Sequence, residues 1–317
     1  MTDAELPLRY VRDLSDPYES RQQHARAVTA GRERRVARGV YLPAETWATL
    51  DARERYVALV RAVAGTRGFR PVISHWSAAA VHELPIVGSW PSAVHTIVGP
   101  TAGGRSRGGV VKHAMRLEEA DVIELGGLLV TSVARTVLDI ASVGNFMTAV
   151  TMADRAIHVD RFGRQMPLCT KEELFDAWER SLPFRAFARS REVIAFAETN
   201  VDSPLESVSR VTMRVIGCPR PLLQTPYYDH AGFIGDADFD WPDYRTIGEA
   251  DGDIKYLDRQ FRNGRTAEQV VLDEKIREDR FRALPRTVTR WRWPIAVRPD
   301  LLRANLIAAG LPMGQRW

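Results

Sequence analysis

The pattern of apolar and polar positions divides the 317-residue chain into three segments. In the first, residues 1–50, the positions over 18–30 suit a helix, and Gly31 follows them as an end signal. In residues 32–43, Val36, Val40 and Leu42 are apolar, Gly39 can form a turn and Pro43 ends the run. The first segment is therefore predicted to be a helix followed by a short β-hairpin.

The second segment, residues 51–200, is predicted to be a small α+β region followed by a helical stretch. Its helices are expected over 51–64, 74–83, 132–141, 146–157, 170–181 and 187–197. Its strands are expected over 94–98, 110–113 and 127–131.

The third segment, residues 201–317, begins with a clear helix signal. Ser203 is a typical N-cap, Pro204 suits the first helical position, and Glu206 places an acid in the first turn. The remaining elements are expected to be strands over 222–228, 235–241 and 245–250, a helix over 266–284, a strand over 288–293 and a helix over 299–309. The order αβββαβα indicates a restriction-endonuclease-like core, so we expect a mixed α/β protein.

Composition excludes several other classes of protein. The chain is 45% hydrophobic and 26% charged, which is ordinary for a globular protein. No apolar run approaches the ~18 residues that span a bilayer, and the acidic N-terminus lacks a signal peptide's basic region. We therefore expect a cytoplasmic protein without a membrane partner. Two cysteines are too few for a disulfide framework or a cysteine zinc cluster.

Basic residues cluster at the N-terminal hairpin. The formal charge is only +4, and 40 of the 44 basic residues are arginine, which indicates a GC-rich genome more than nucleic-acid binding. Residues 21–40, however, hold six arginines against one acid, Glu33. Helix followed by basic hairpin is the order of recognition helix and wing, so we predict a winged-helix-like module whose arginines contact DNA phosphates. The alternative is a solvated basic surface. The candidates are Arg32, Arg34, Arg35 and Arg38.

Acidic residues cluster on the second and third strands of the third segment. Asp238 and Asp240 share one face of a strand, and Glu249 and Asp251 share one face of the next. If these strands pair antiparallel, their carboxylates converge as Mg²⁺ or Mn²⁺ requires, and such an ion activates water and stabilises phosphodiester charge. Glu206 is a further acid for this site. The alternative is a solvent-facing rim of the sheet.

Three motifs in this segment resemble the Vsr-like endonucleases of the PD-(D/E)xK superfamily. They are Ser-Pro-Leu-Glu-Ser (203–207), Asp-Phe-Asp-Trp-Pro (238–242) and Gly-Glu-Ala-Asp-Gly (248–252), spread over about 110 residues. The resemblance implies a metal-dependent endonuclease domain over 201–317.

The resemblance also implies roles for single residues. Glu206 would orient or assist the metal-bound water, Asp238 would be the main metal ligand, and Glu249 and Asp251 its companions. Two positions depart from the pattern. The superfamily's lysine is Asp251 here, and a position that is often histidine in Vsr-like relatives is Lys255. Lys255 can stabilise phosphate charge but is a poor general base unless its pKa is depressed.

The long helix of this segment carries two further basic candidates. Arg277 and Arg280 resemble the basic helix of the Vsr-like branch. They would either reach the backbone of a DNA substrate or form ion pairs on the helix surface.

The first two segments resemble a different family, the AbiEi-type antitoxins. The motifs are Arg-Val-Ala-Arg-Gly-Val-Tyr-Leu-Pro (35–43), Ser-His-Trp-Ser-Ala-Ala-Ala-Val-His-Glu-Leu-Pro (74–85) and Thr-Ser-Val-Ala-Arg-Thr-Val-Leu-Asp-Ile-Ala (131–141). The resemblance implies a DNA-binding autorepressor, a cognate toxin as partner, and a toxin–antitoxin or phage-defence context. Only about 17 residues precede the first helix, whereas the family has two more helices there. Against the family pattern, we therefore expect the winged-helix-like module over 1–50 to be shortened.

Other catalytic patterns are absent from the sequence. It has no Gly-x-Gly-x-x-Gly, Walker lysine, His-Glu-x-x-His or Gly-x-Ser-x-Gly motif. His75 and His82 fall on one helix face, where buried or capping histidines are expected. Asp139 is expected to pair with Arg135 within its helix.

Two functions remain open from the sequence. The first is a Mg²⁺- or Mn²⁺-dependent DNA endonuclease that the N-terminal module targets to DNA. The second is a non-catalytic, antitoxin-like repressor whose nuclease fold has decayed into a binding or homodimerisation domain. The positions of Asp238, Glu249 and Asp251 relative to one another distinguish them.

Overall fold

The computed structural model describes residues 6–13, 17–101, 106, 108–161, 163, 165–251 and 267–317. The protein is a mixed α/β chain that divides into two compact units. The first unit contains residues 1–145 and 168–195, and the second contains 146–167 and 196–317. Residues 146–167 thus belong with the C-terminal part of the chain. The three domains predicted over 1–50, 51–200 and 201–317 stay a prediction.

The N-terminal part of the first unit is a small sheet with two helices. Its elements are β1 (Arg9–Tyr10), α1 (Pro17–Thr29), β2 (Glu33–Ala37), β3 (Val40–Pro43) and α2 (Ala44–Thr49). Strands β2 and β3 form the predicted antiparallel hairpin, and β1 pairs with β3 on its other edge. Gly31 ends α1 with a φ of +70°, the left-handed conformation that favours glycine. Strand β1 is too short to give an alternation signal.

The rest of the first unit is a five-stranded sheet with helices packed on it. Its strands are β4 (Val72–Ile73), β5 (Val94–Val98), β6 (Val110–Ala114), β7 (Val122–Leu125) and β8 (Leu128–Thr131), in the order β6-β5-β4-β8-β7. Its helices are α3 (Ala52–Gly65), α4 (His75–Val81), α5 (Val133–Val143), α7 (Lys171–Arg180) and α8 (Phe187–Phe196). Tyr56, Val60, Ile73 and Val130 lie in a core between α3 and the sheet. All helices predicted here form, whereas β4 and β7 were not predicted.

The second unit has one helix from the middle of the chain and the predicted C-terminal series. Its elements are α6 (Phe146–Ile157), α9 (Pro204–Ile216), β9 (Leu222–Asp229), β10 (Gly232–Trp241), β11 (Thr246–Ala250), α10 (Ala267–Arg282), β12 (Thr287–Trp291), α11 (Trp293–Ala296) and α12 (Pro299–Ala308). The predicted order is confirmed, with the short α11 as an addition. The last strand ends at Trp291 because Pro294 lies in the first turn of α11.

The sheet of the second unit has the order β12-β11-β10-β9. Its first three strands in sequence pair antiparallel, whereas β12 pairs parallel to β11. Gly248 in β11 lies between two indole rings, and an added Cβ would come within 2.6 Å of Trp291 and 2.9 Å of Trp241. Only glycine fits this close approach, which fixes the register of β11 beside the acidic residues.

A buried ion pair joins α6 to α9 within the second unit. Arg210 donates to Asp154 Oδ2 at 2.9 Å and to the carbonyl of Phe196 at 2.7 Å. Both charged side chains are almost fully buried. The Asp154 carboxylate also accepts from the backbone N–H of Glu198. Helix α6 is therefore a structural part of the unit that carries the acidic residues.

Within the described ranges, every helix is too short or too polar to span a lipid bilayer. Both cysteines, Cys169 and Cys218, are buried free thiols.

Candidate functional site

The antiparallel pairing of β10 and β11 brings two carboxylates face to face. Phe239 pairs with Gly248, and continuing this register by one residue places Asp238 opposite Glu249. The backbone N–H of Ala250 donates to Asp238 Oδ2 at 2.7 Å, which holds this side chain against β11. The predicted antiparallel arrangement of these strands is confirmed.

Glu206 joins this pair from the first turn of α9. Ser203 caps the helix by accepting from the backbone N–H of Glu206, and its hydroxyl donates to Glu206 Oε1 at 2.7 Å. The backbone N–H of Asp202 donates to Glu206 Oε2 at 3.1 Å. Glu206 is 4% exposed, so these local donors hold a carboxyl group in the protein interior.

Gln224 in β9 connects Glu206 to Asp238. Its side-chain amide donates to Glu206 Oε2 at 2.8 Å and to Asp238 Oδ1 at 3.4 Å. Its φ of +50° is a left-handed conformation that costs a non-glycine residue energy and is commonest at functional sites. No local sequence signal marks Gln224, because its role depends on two residues distant in the chain.

Burial and mutual repulsion raise the pKa values of the two glutamates. For Glu206 the main cause is burial, followed by the negative charge of Asp238. For Glu249 the main cause is again burial, followed by Asp238, with Arg277 and Arg290 acting in the opposite direction. Asp238 is thus the centre of a cluster of carboxyl groups that favours a proton or another cation.

Glu249 is held on one oxygen only. Its side chain is 1% exposed, and Arg277 in α10 donates to Oε2 at 3.0 Å. The other oxygen, Oε1, is buried without a hydrogen-bond partner among the described residues. Leaving a buried acceptor unpaired costs about 1–3 kcal/mol, so the partner of this oxygen is expected to be a ligand or solvent.

The third predicted metal ligand, Asp251, has different contacts. It lies just after β11, its side chain is 37% exposed, and Arg290 in β12 approaches its Oδ2 at 3.6 Å. Arg290 also approaches Glu278 Oε2 at 3.6 Å. Asp251 is therefore part of an ion-pair network with α10 and β12. The remaining predicted catalytic residue, Lys255, lies outside the described residues.

The carboxylates supply the oxygen chemistry that a hard divalent cation prefers. In the part of the chain that the structure describes, however, no three His, Cys, Asp or Glu side chains are grouped so as to hold a metal ion. Glu249 is bound to Arg277, and Asp251 faces Arg290. Two of the three predicted ligands thus face arginines, and the predicted ligand set stays a prediction.

Two other charged candidates are held by neighbouring side chains. Arg280 makes two hydrogen bonds to Asp229, at 2.8 and 2.6 Å, and two more to the backbone carbonyls of the first two residues of β10. Asp240 accepts from Arg286 at 3.0 Å. Arg277 and Arg280 therefore both bind residues of the sheet of their own unit.

The N-terminal hairpin presents its arginines to solvent. The exposed candidates are Arg32, Arg34, Arg35 and Arg38. The Arg34 guanidinium lies over the Trp47 ring at 5.8 Å, and the one acid in this region, Glu33, is buried against His24 and Arg9. Because Glu33 is already paired, it does not offset the positive surface of the hairpin.

The histidines of the α4 region are buried, as predicted. His82 forms a hydrogen bond with the carbonyl of Thr131 at 2.7 Å, and burial lowers its pKa. The predicted Arg135–Asp139 pair is present at 2.8 Å.

Comparison with known proteins gives a limited result. No family model matches the chain. It is 30% identical over 125 residues to two Mycobacterium tuberculosis proteins, uncharacterized protein MT2308 of strain CDC 1551 / Oshkosh and uncharacterized protein Rv2248 of strain ATCC 25618 / H37Rv. The match covers 39% of this chain and 44% of each relative, so the chain spans less than half the length of the curated relatives it matches.

Proposed function

We propose that the protein is a DNA-binding endonuclease that depends on Mg²⁺ or Mn²⁺ and whose cleavage site is the carboxyl cluster of the second unit. The observation that carries the proposal is the buried, unpaired Oε1 of Glu249 beside Asp238. The hydrogen-bonded path from Asp238 through Gln224 to Glu206 connects a third acid to the cluster.

Each residue has a distinct task in this proposal. Asp238 and Glu249 would hold the cation, which supplies Lewis-acid stabilisation of the phosphodiester and an activated water. Glu206, whose raised pKa favours a proton, would position that water through its own hydrogen bonds. Arg277 would release Glu249 and remain beside it as a cation for the substrate phosphate.

The exposed arginines of the N-terminal hairpin support DNA as the substrate. Phosphate contacts by clustered basic side chains bring a duplex to a protein without reading its sequence. Arg34, Arg35 and Arg38 lie on or beside the hairpin of a helix–hairpin unit, as expected for a wing.

The second candidate is a non-catalytic, antitoxin-like repressor that acts with a cognate toxin or as a homodimer. The contacts of Arg277 with Glu249 and of Arg290 with Asp251 favour it. If these arginines permanently occupied the place of a metal ion, the fold would be kept and the metal-dependent cleavage would be lost.

Cleavage assays separate these two functions. Supercoiled and linear DNA are incubated with Mg²⁺ or Mn²⁺ and, separately, with EDTA, using the wild-type protein, Asp238→Asn and Asp236→Asn. Asp236 is the matched control, because it lies in the same strand and binds Arg161 instead of the cluster. We expect metal-dependent cleavage that Asp238→Asn lowers about 100-fold, the scale of losing a key electrostatic group.

Cleavage that survives Asp238→Asn would exclude the proposed site. No cleavage by the wild-type protein, together with salt-dependent DNA binding, would instead support the repressor.

A further inference from the structure

A cavity of about 770 Å³ lies within the first unit and is lined by residues that belong neither to the carboxyl cluster nor to the hairpin. It is bordered by β6, by α5 and by residues 180–185. Its volume falls in the range of small-molecule sites, about 300–1,000 Å³. A DNA duplex is too large to enter such a cavity.

Imidazole rings form one wall of the cavity. His75 and His113 both line it and stack with ring centroids 3.5 Å apart. His95 forms a hydrogen bond with His113 through Nδ1 and Nε2, which lie 2.9 Å apart. Burial lowers the pKa of each of these three histidines, so the wall is uncharged at neutral pH. His75 is itself buried, so the partly exposed ring of His113, which His75 backs, is the surface that can receive another aromatic ring.

Asp139 supplies an unused acceptor in the same wall. Arg135 holds Oδ1 at 2.8 Å, whereas Oδ2 is buried without a hydrogen-bond partner among the described residues. His75 Nδ1 lies 3.7 Å from Oδ2, which exceeds hydrogen-bond distance. The carboxylate is 1% exposed and lines the cavity. A ligand with an N–H or O–H donor would satisfy it.

Basic side chains surround the same cavity. Lys112 and Arg116 line it from the β6 side, and Arg180 and Arg185 from the end of α7 and the segment after it. Two further acids border the cavity: Glu118 lies 3.9 Å from Arg116, and Asp121 binds the buried Arg135 and lies 3.7 Å from Arg180. With Asp139 the lining has three acids against five basic side chains, so it keeps excess positive charge, which suits an anionic group.

The backbone of His75 is unusual. It has a φ of +50° at the first position of α4, a left-handed conformation that L-residues rarely adopt. Strain of this kind is retained where the surrounding structure holds a side chain in a required position. Here it places the imidazole between His113 and Asp139.

We propose that this cavity binds a nucleoside monophosphate, with its base against the histidine wall and its phosphate among the four basic side chains. The base would donate an N–H to Asp139 Oδ2. A metal ion does not fit the wall, because no described histidine or acid group there is arranged to hold one. An isolated phosphate would leave both the histidine wall and Asp139 unused. The site is independent of the proposed nuclease function, since it lies wholly within the first unit.

Equilibrium dialysis and thermal shift of the full chain test this site. The probes are AMP, GMP, CMP and UMP, with the four nucleosides and inorganic phosphate alone as separate arms. We expect at least one nucleotide to bind about tenfold more tightly than phosphate and than its own nucleoside, from base stacking and charge-assisted hydrogen bonds together. The double variant Lys112→Ala/Arg185→Ala should weaken that binding about tenfold.

The control is Arg191→Ala, which removes an exposed arginine of α8 that does not line the cavity. Asp139→Asn tests the acceptor, and its unfolding midpoint shows whether any loss of binding is loss of fold. The proposal is overturned if no nucleotide binds more tightly than inorganic phosphate. It is also overturned if the Lys112/Arg185 variant binds like the wild type.

Discussion

At the residue scale, Glu249 is a buried carboxyl group whose two oxygens have unequal partners. Arg277 satisfies Oε2, while Oε1 is buried without a hydrogen bond in the described residues. Burial and the charge of Asp238 raise its pKa, so this carboxyl group favours a proton more than an ordinary glutamate does. A divalent cation would compete with a proton for the carboxyl group.

The raised pKa of Glu249 predicts a pH-dependent stability. A folded-state pKa above the unfolded value of about 4.3 means that the folded protein holds a proton that the unfolded chain releases. The stabilisation that this proton gives the folded protein is fully present below the unfolded-state pKa, and it is lost as the pH rises through the folded-state pKa. The slope is at most about 1.4 kcal/mol per pH unit for one proton. Denaturant unfolding at several pH values in this range should show the loss of stability. Glu249→Gln should remove part of this pH dependence.

A matched control for this measurement is Glu124→Gln, since Glu124 is an exposed acid that pairs with Arg70. An unchanged slope in Glu249→Gln would contradict the assignment of the bound proton to Glu249.

Arg277 is predicted to compete with a metal ion. Arg277→Ala should increase the affinity for Mn²⁺ about tenfold, because a charge-assisted hydrogen bond of about 1.5–3 kcal/mol no longer has to be broken. Titration calorimetry measures the change. Arg280→Ala is the control on the same helix, since Arg280 binds Asp229 instead. Equal Mn²⁺ affinities in Arg277→Ala and the wild type would show that Arg277 does not limit access to Glu249.

At the element scale, the hairpin of β2 and β3 carries its exposed arginines as a group. The strands are fixed by Val40 and Leu42, which are fully buried, while Arg34 and Arg35 lie in solvent. Substitution of the arginines is therefore expected to leave the hairpin folded and to change only its charge.

Loss of the exposed hairpin arginines is expected to change the salt dependence of DNA binding. Replacing Arg34, Arg35 and Arg38 with alanine should reduce the slope of log K against log salt for duplex DNA by up to about three, since each phosphate that a basic side chain neutralises adds roughly 0.9 to that slope. Fluorescence anisotropy at several salt concentrations measures the slope. The control replaces three other exposed arginines, Arg191, Arg303 and Arg316. If both triple variants show the same reduction, DNA binding depends on total charge and not on the hairpin.

At the scale of the whole molecule, the unit that carries the carboxyl cluster is discontinuous in sequence. Helix α6 is separated along the chain from the rest of that unit and is joined to α9 by the Asp154–Arg210 pair. Because α9 also carries Glu206, the position of the cluster depends on a helix from the middle of the chain.

Breaking this ion pair should destabilise the second unit strongly. Asp154→Ala leaves the buried Arg210 without its main counter-charge, and losing one partner of a buried pair costs about 3–5 kcal/mol. Glu198→Ala is the control, since Glu198 lies 3.9 Å from Arg210 and is partly exposed. Urea unfolding followed by tryptophan fluorescence compares the two variants. Equal destabilisation by both would show that the α6–α9 pair does not hold the unit together.

Elements with local signals could be predicted from the sequence alone. Helix α9 has its cap, proline and first-turn acid within four residues, and Asp51 and Thr170 form capping boxes at α3 and α7. The strands of the second unit, the shared face of Asp238 and Asp240 and that of Glu249 and Asp251 followed from alternation, whereas the register that sets Asp238 opposite Glu249 came from the structure. Such signals depend on neighbours a few residues apart, so they are recognisable without the fold.

Features that join distant residues became visible only in the folded chain. The role of Gln224, the contact of Arg277 with Glu249, the stacking of His75 on His113 and the place of α6 in the second unit all depend on packing across the chain. The same holds for the pKa values of Glu206 and Glu249. Burial and neighbouring charge set the protonation of a carboxyl group, and neither is a property of its position in the sequence.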